Sequence, residues 1–219
     1  MPLLQTTNLR RQYGDLPVLK GINLSIDAGE VVSIVGASGA GKTTLLQILG
    51  TLDRPDTGTL EIDGQDVFAL NDRELARFRN ETIGFVFQFN NLLPEFTALE
   101  NVCLPAFIAK RDEKTTRQRA ESLLKTLNLG HRLNHFPSQM SGGEQQRTAV
   151  ARALINEPAI VFADEPSGNL DSQNAEELHQ LFFRLRDELG HTFIIVTHNE
   201  TLATLADRTI TIRDGVVKA

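Results

Sequence analysis

The sequence predicts an α/β protein built on a parallel β-sheet. Its clearest signals are three short runs of β-branched and other apolar residues, at positions 31–35, 159–163 and 192–197. Such runs indicate strands that are buried on both faces, and segments with helical periodicity separate them along the chain. Buried strands that alternate with helices are typical of a parallel sheet covered by helices on both sides.

Other segments predict a second, antiparallel sheet. Residues 3–9, 18–26, 58–63 and 208–218 alternate more regularly between apolar and polar positions than the buried runs do. Turn signals such as Asp-Gly lie beside them, which favours antiparallel strands and hairpins. We therefore expect these segments to form antiparallel strands and hairpins.

Residues 90–157 carry no strand signal and are predicted to form a helical subdomain. Thr97 and Glu100 have the spacing of a capping box at the start of one helix. Amphipathic patterns predict two further helices, at 114–128 and 141–156. The prediction is a single domain over residues 1–219, with a core of about 1–89 and 158–219 and this helical insertion between its parts.

Composition limits the class of protein. Of the 219 residues, 41% are hydrophobic and 23% charged, as in soluble globular domains, and the net charge is −6. An acidic chain argues against nucleic acid as the main partner, because phosphate contacts need clustered Lys and Arg. The sequence shows no signal-peptide pattern and no apolar run near the ~18 residues that span a bilayer. Any membrane role is therefore expected to come through a partner chain.

Cysteine and histidine show no metal-site spacing. The single cysteine, Cys103, excludes an intramolecular disulfide and lies in an apolar run, so we predict a small core residue there. The histidines without ligand spacing are predicted to be surface or subdomain residues: His131, His135, His179 and His191.

A glycine-rich loop carries the strongest functional signal. The pattern G-x-x-x-x-G-K-[ST] lies between the strand at 31–35 and a predicted helix from Lys42 to Leu49 that stops at Gly50. In that context backbone N–H groups and the helix dipole cradle phosphates, the lysine reaches the β- and γ-phosphates, and a hydroxyl from Thr43 binds Mg²⁺. The predicted ATP-binding residues are Gly36, Ala37, Ser38, Gly39, Ala40, Gly41, Lys42, Thr43 and Thr44. Alone, this loop leaves a kinase, a GTPase and a motor open.

Two carboxylates follow the predicted strand at 159–163. Ligands of open α/β sheets lie outside the carboxyl ends of the strands, where Asp164 and Glu165 fall. Asp164 is predicted to hold Mg²⁺ through its water, and Glu165 to orient or deprotonate an attacking water. An acidic pair after a strand is more often a solvated turn, but the phosphate loop makes the catalytic interpretation the stronger one.

A third motif begins the predicted helix at 141–156. The run Met140-Ser141-Gly142-Gly143-Glu144-Gln145-Gln146-Arg147 resembles the signature sequence of ATP-binding-cassette (ABC) ATPases. Its serine and glutamate also have capping-box spacing, and the free N–H groups of the helix start make a second anion site. An ordinary capped helix would explain those two residues but not the paired glycines, which allow a ligand to approach the backbone closely.

The resemblance covers essentially the whole chain and implies the ABC ATPase fold. That fold has a RecA-like parallel-sheet core, an antiparallel β subdomain and an inserted α-helical subdomain. The family also implies a head-to-tail dimer, in which the signature of one copy closes on the γ-phosphate held by the phosphate loop of the other. The signature residues implied to contact nucleotide are Ser141, Gly142, Gly143 and Glu144.

Further family elements appear in order along the chain. Tyr13 matches the aromatic residue that stacks on adenine, and residues 167–171 match the loop that crosses the dimer interface. The resemblance implies a catalytic set of Glu165, His198 and Gln88 and a set of Mg²⁺ ligands that comprises Thr43, Gln88 and Asp164.

The segment at 88–102 is more particular. It is similar to the ATPase subunits of bacterial lipoprotein-releasing systems (the LolD type), as are residues 50–55 and 131–135. This resemblance implies integral membrane subunits that dock near 88–102 and a peripheral position on the cytoplasmic side of the inner membrane. Large apolar residues in a loop are typical of a docking surface, although they also fit packing under the helical subdomain. They are Phe89, Leu92, Leu93 and Phe96.

Other functions of ABC ATPases are alternatives to lipoprotein release. Macrolide-exporter and cell-division ATPases belong to the same group, and in the division complex ATP-driven closure would signal rather than transport. A soluble ABC ATPase that acts on DNA or ribosomes is disfavoured, because such proteins usually carry two cassettes or a long coiled-coil insertion. A fused exporter is excluded by the absence of a spanning segment from this sequence.

Overall fold

The structure is a computed structural model and describes residues 2–218. Strands and helices alternate through most of that range. The strands are β1 (Leu4–Tyr13), β2 (Leu16–Ile26), β3 (Val31–Val35), β4 (Thr57–Ile62), β5 (Gln65–Asp66), β6 (Ile83–Phe87), β7 (Ile160–Asp164), β8 (Thr192–Val196), β9 (Arg208–Arg213) and β10 (Val216–Lys218). The helices are α1 (Lys42–Leu49), α2 (Asp72–Thr82), α3 (Ala98–Ile108), α4 (Glu113–Thr126), α5 (Gly142–Leu154), α6 (Ser172–Leu189) and α7 (Glu200–Leu205).

The central sheet has the strand order β10-β9-β3-β8-β7-β6. Its pairs are parallel from β9 through to β6, and only the terminal pair β9–β10 of the described strands is antiparallel. The second sheet has the order β2-β1-β4-β5 and is antiparallel throughout. The predicted parallel core and antiparallel subdomain are therefore both confirmed.

Strand β8 shows why the central strands read as continuous apolar runs. Phe193 and Ile195 belong to the apolar layer that also contains residues of α3 to α6, whereas Ile194 and Val196 belong to the layer that contains α1 and the antiparallel sheet. All four side chains are buried. Because both faces are covered by apolar layers, no polar alternation survives in this strand.

The segment at 208–218 corrects one prediction. Strand β9 pairs in parallel with β3 and belongs to the central sheet, and only β10 makes the expected hairpin. Strand β9 alternates because it lies near the sheet edge, where one face is exposed and the other buried. The backbone N–H of Lys20 donates to the carbonyl of Gly215 at 2.9 Å, so this edge also joins the antiparallel sheet.

Helices α3, α4 and α5 confirm the three helices predicted between residues 90 and 157. The capping box at α3 is formed, with the Thr97 N–H 2.8 Å from Glu100 Oε2 and the Glu100 N–H 3.3 Å from Thr97 Oγ1. Cys103 is fully buried in α3, as predicted, and burial raises the pKa of its thiol to about 11. In residues 2–218 no helix is both long enough and apolar enough to cross a membrane.

His179 is a second correction. It is neither on the surface nor in the helical subdomain, but lies on the inner face of α6 with 1% of its surface exposed. Ligand spacing alone could not reveal this, because α6 buries a stripe of its residues against the central sheet.

Candidate functional site

The phosphate loop, residues 36–44, joins the end of β3 to the first turn of α1. A Cβ at Gly36 would lie 2.2 Å from the carbonyl oxygen of Ile212, so only glycine fits there. Within the described chain no side chain caps the start of α1, and Gly41 begins it in a left-handed conformation. The first N–H groups of α1 and its dipole are therefore available to an anion.

Lys42 lies across this loop. Its Nζ donates to the carbonyl oxygens of Gly36 and Ala37, at 2.9 and 3.0 Å. These contacts hold the ammonium group over the place where the loop encloses a phosphate, so its position is set before a ligand binds.

A cavity of about 620 Å³ opens over the loop and gathers most of the predicted residues. Its lining residues are Tyr13, Val18, Gly36, Ser38, Gly39, Gly41, Lys42, Thr43, Thr44, Glu165 and His198. Ala37 and Ala40 belong to the loop but do not line the cavity, and Ala40 packs into the core. Of the other predicted residues that the structure describes, Gln88, Asp164 and the segment 141–144 are outside the lining.

Tyr13 forms one rim of this cavity with its ring half exposed. Its hydroxyl donates to Asp53 Oδ2 at 2.9 Å, and the Arg11 guanidinium lies 4.7 Å from the ring centre. Arg11 in turn pairs with Asp53 and Asp56, each at 3.0 Å. The ring is thus held in place from one side, which suits a platform on which a nucleotide base stacks.

Glu165 and His198 face each other at the other end of the cavity. Glu165 Oε2 lies 2.5 Å from His198 Nδ1, although the two residues follow different strands. Glu165 also has a left-handed backbone, with φ of 47°, which is unfavourable for a residue with a Cβ. The surroundings therefore impose this conformation, and they aim the carboxylate at the phosphate loop.

Asp164 ends β7 directly beneath these groups. Burial raises its pKa, as does the negative charge of Glu165, while Lys42 opposes them. Its Oδ1 is buried and accepts no hydrogen bond from any residue in 2–218. A buried carboxylate oxygen with no partner, near a hydroxyl-bearing phosphate loop, fits a group that holds Mg²⁺ or its water.

The segment at 141–144 starts α5 away from this cavity. The predicted capping box is formed, because the Ser141 N–H donates to Glu144 Oε2 at 2.8 Å and Ser141 Oγ accepts from the Glu144 N–H at 3.3 Å. Burial raises the pKa of Glu144, but the hydrogen bonds from Ser141 and Arg132 outweigh it and lower the pKa overall. The Glu144 carboxylate therefore makes its hydrogen bonds within its own chain.

The paired glycines differ in what the fold requires of them. A Cβ at Gly143 would lie 2.2 Å from Asn174 Oδ1, so any larger residue there would force the Asn174 side chain on α6 to move. A Cβ at Gly142 would meet only Leu170, at an ordinary 3.6 Å. Gly142 is thus free to serve something outside the chain.

The family model for the ABC transporter matches residues 19–168, more than half of the chain. It spans both the phosphate loop and the segment at 141–144. The chain belongs to the ABC transporter family. As a member of that family it binds ATP and is an ATP hydrolase.

Individual relatives agree with this assignment over nearly the full length of the cassette. The lipoprotein-releasing system ATP-binding protein LolD of Cytophaga hutchinsonii is 62% identical, with 98% of each chain covered. The solved dimeric structure of MJ0796, a bacterial ABC transporter cassette, is 44% identical with a TM-score of 0.89, covering 99% of this chain and 97% of that one. A post-hydrolysis dimer of the MJ0796 cassette bound to ADP and Pi is 43% identical, with a TM-score of 0.88 and the same coverage.

Gln88 of the cassette is tied to the loop at 167–171. Its Nε2 donates to Asn169 Oδ1 at 3.1 Å, and Asn169 Nδ2 donates back to the Gln88 carbonyl at 3.2 Å. A Cβ at Gly168 would lie 2.8 Å from Gln88 Nε2, so the glycine makes room for this amide. In this arrangement the predicted magnesium sensor contacts the predicted dimer-crossing loop rather than the cavity.

Sequence reasoning missed several polar contacts of the cassette. Buried Asn101 ties down the loop before α3 by four hydrogen bonds, to the Leu93, Phe96 and Thr97 backbones. His179 Nε2 lies 2.9 Å from Ser167 Oγ. These contacts depend on the paths of the loops, so residue spacing does not predict them. The one signal in the sequence was an asparagine inside an otherwise apolar helical pattern.

Proposed function

We propose that this chain is the ATP-hydrolysing subunit of a complex that releases outer-membrane-directed lipoproteins from the inner membrane. The observation that carries the proposal is the 62% identity to a LolD protein over 98% of both chains. Because ATP is supplied in the cytoplasm, we place the subunit at the cytoplasmic face of that membrane, held there peripherally by its partners.

We propose that two copies form each hydrolytic site together. The segment at 141–144 starts helix α5, where an anion could bind, but it lies outside the lining of the cavity over the phosphate loop. A head-to-tail pairing of copies would bring the two halves onto one nucleotide, and the MJ0796 cassette was solved as a dimer. The loop at 167–171 would cross that interface.

The residues of the cavity that can bind nucleotide or water then have proposed roles. The α1 N–H groups and Lys42 bind the phosphates, and the Tyr13 ring stacks on the base. Glu165 orients the attacking water and accepts its proton, while His198 contacts the γ-phosphate and holds the Glu165 carboxylate at 2.5 Å.

Thr43 and Asp164 would hold Mg²⁺, which when bound neutralises charge between the β- and γ-phosphates. Gln88 is the third proposed ligand and would have to leave Asn169 to reach the metal. Among residues 2–218 there is no cluster of three or more acidic, cysteine or histidine side chains arranged for a metal. The proposed site agrees with this, since Mg²⁺ at nucleotide sites uses few protein ligands together with phosphate and water oxygens.

The docking loop, residues 88–97, is the proposed contact for the integral membrane subunits. Phe89 is 71% exposed and Leu93 43% exposed, and Phe96 also reaches the surface. Leu92 is 9% exposed and packs inward, so for this residue the alternative of packing within the chain applies. An apolar groove of about 470 Å³ continues the exposed surface between α2, β6, α3 and α5, which suits a helix of a membrane subunit.

Hydrogen bonds join the docking loop to α5, the helix that begins with the signature. Asn90 Nδ2 donates to Gln145 Oε1 at 2.9 Å, and Arg152 donates to the carbonyls of Asn90 and Asn91 at 2.6 and 2.7 Å. Force applied to the docking loop by a membrane partner would therefore reach the signature through a fixed helix. We also propose that residues 90–157 act as one helical subdomain within a single domain of residues 1–219.

Charge reversal on the docking loop tests the proposed partnership. We expect Phe89→Glu with Leu93→Glu to abolish co-purification with the membrane subunits, because two carboxylates would be buried in an apolar contact. The variant should keep its unfolding temperature and its ATP binding. Pull-down of the membrane proteins, identified by mass spectrometry, is the measurement.

Leu189→Glu is the matched control, since Leu189 is exposed at the far end of α6. A complex that survives the double charge reversal would refute docking at this loop. If the captured membrane proteins belong to a division or export complex instead of a lipoprotein-releasing one, the cargo assignment is wrong while the docking site stands.

A further inference from the structure

The buried imidazole of His179 has no role in the mechanism described so far. It lies in a second cavity, of about 390 Å³, whose walls also include Glu165, Ser167 and His198. The ring thus lines the same cavity as the proposed catalytic residue Glu165, although it lies fourteen residues later in the chain. A polar ring at 1% exposure needs a reason to be there.

Glu165 stands in a turn that must be held in place. Its left-handed backbone is unfavourable for a residue with a Cβ, so contacts elsewhere in the turn maintain it. Two backbone bonds close the turn: the Gly168 N–H donates to the Glu165 carbonyl at 2.9 Å, and the Leu170 N–H donates to the Ser167 carbonyl at 3.1 Å. Two further contacts attach the ends of the turn to the central sheet: the Glu165 N–H donates to the Val196 carbonyl of β8 at 2.9 Å, and Asn169 is hydrogen-bonded to Gln88, just after β6.

The contact between His179 and Ser167 attaches the middle of the turn to α6. His179 Nε2 lies 2.9 Å from Ser167 Oγ, and it connects the turn to a side chain fixed on the buried face of α6. His179 Nδ1 is buried and has no partner among the described residues. A buried N–H without an acceptor is more costly than an unused lone pair, so the proton belongs on Nε2 and the ring donates to Ser167.

Burial also favours the neutral form of the His179 ring. Burial lowers the pKa of His179, against an opposing effect of the negative charge on Glu176.

We propose that His179 is a positioning residue for ATP hydrolysis: through the Ser167 hydroxyl it fixes the turn at 165–168 and thereby the Glu165 carboxylate. This inference rests on the proposed role of Glu165. In this proposal α6, which carries His179, fixes the turn that contains Glu165 and the adjoining loop at 167–171.

Substitution of His179 by Phe tests the proposal, because it keeps a buried ring and removes the donor. We expect kcat for ATP to fall about tenfold, the effect of losing one ordinary hydrogen bond from the transition state. KM for ATP should stay within twofold, because the phosphate loop and Tyr13 are untouched. Ser167→Ala should give the same kcat loss, and the double variant should be no slower than either single one.

His179→Gln is the conservative rescue. A glutamine amide reaches the position of Nε2 and can donate to Ser167, so it should recover most of kcat, whereas His179→Asn should not. A His179→Phe or Ser167→Ala enzyme with kcat within twofold of wild type would overturn the proposal, as would additive losses in the double variant. If His179→Phe does not fold, the kcat values of Ser167→Ala and His179→Gln still test the proposal. A lower unfolding temperature with unchanged kcat indicates a structural residue only, and a wild-type chain without ATPase activity refutes the proposed function instead.

Discussion

Glu165→Gln is expected to lower ATP turnover by about 10²–10⁴-fold, the usual contribution of a positioned general base. The amide keeps the size of the side chain and its place opposite His198, but it cannot accept a proton from water. ATP binding should persist, because the phosphate loop, Lys42 and Tyr13 are unchanged. We therefore expect the variant to accumulate as an ATP-bound dimer, measurable by sedimentation together with steady-state phosphate release.

The matched control for this prediction is Glu188→Gln, which makes the same chemical change on the exposed end of α6. It should hydrolyse ATP at the wild-type rate. Wild-type turnover in Glu165→Gln would remove Glu165 from its proposed role, whatever the geometry of its contact with His198.

Gly142→Asp is expected to have opposite effects on stability and activity. The single chain has room for a side chain there, and a carboxylate in the first turn of α5 interacts favourably with the helix dipole, by roughly 0.3–1 kcal/mol. In the proposed dimer the same carboxylate would face the γ-phosphate of the other copy. We expect a drop in turnover of at least about 100-fold, the size of effect seen when a group that stabilises transition-state charge is lost.

Thermal unfolding and ATPase assays of the same preparation separate these two effects. Gly142→Asn is the control, because it has nearly the same shape without the charge, and we expect it to retain more turnover than Gly142→Asp. Gly143→Ala should instead destabilise the fold, since its Cβ would collide with Asn174. An active Gly142→Asp enzyme would contradict the use of this residue by a second copy.

Local chemistry explains what the sequence could predict. The phosphate loop, the helix at 42–49 and the capping boxes at Thr97 and Ser141 each depend on residues within a few positions of one another. Strands 31–35 and 192–196 were recognisable because both faces are buried, so all but one position in each is apolar. Such features need no knowledge of the tertiary structure.

Features that depend on distant contacts could not be predicted in this way. Strand β9 joins the central sheet only because α7 returns the chain beside β3, and Leu92 turns inward because the loop before α3 is fastened by buried Asn101. The burial of His179 follows from the face that α6 presents to the sheet. The pairing of Gln88 with Asn169 bridges 81 positions of sequence, and no local pattern marks it.

The roles of the two glycines illustrate the difference most clearly. As a sequence motif, Gly142 and Gly143 suggested one shared purpose, close approach to a ligand. The structure gives Gly143 an internal reason, the side chain of Asn174, and leaves Gly142 without one. Gly142, which the fold of the single chain does not require, is therefore the glycine that better indicates a contact with another molecule.

The central claim is that each ATP is held by the phosphate loop of one copy and the signature of another. The measurement that tests it most directly is the ATPase rate of a heterodimer purified through two tags, with Lys42→Ala in one copy and Gly142→Asp in the other. Each homodimer should be nearly inactive, because both of its sites contain a defect. The heterodimer has one site with both defects and one with none, so we predict clear recovery, up to about half of the wild-type rate per dimer. A heterodimer as inactive as its two parents would contradict the shared site.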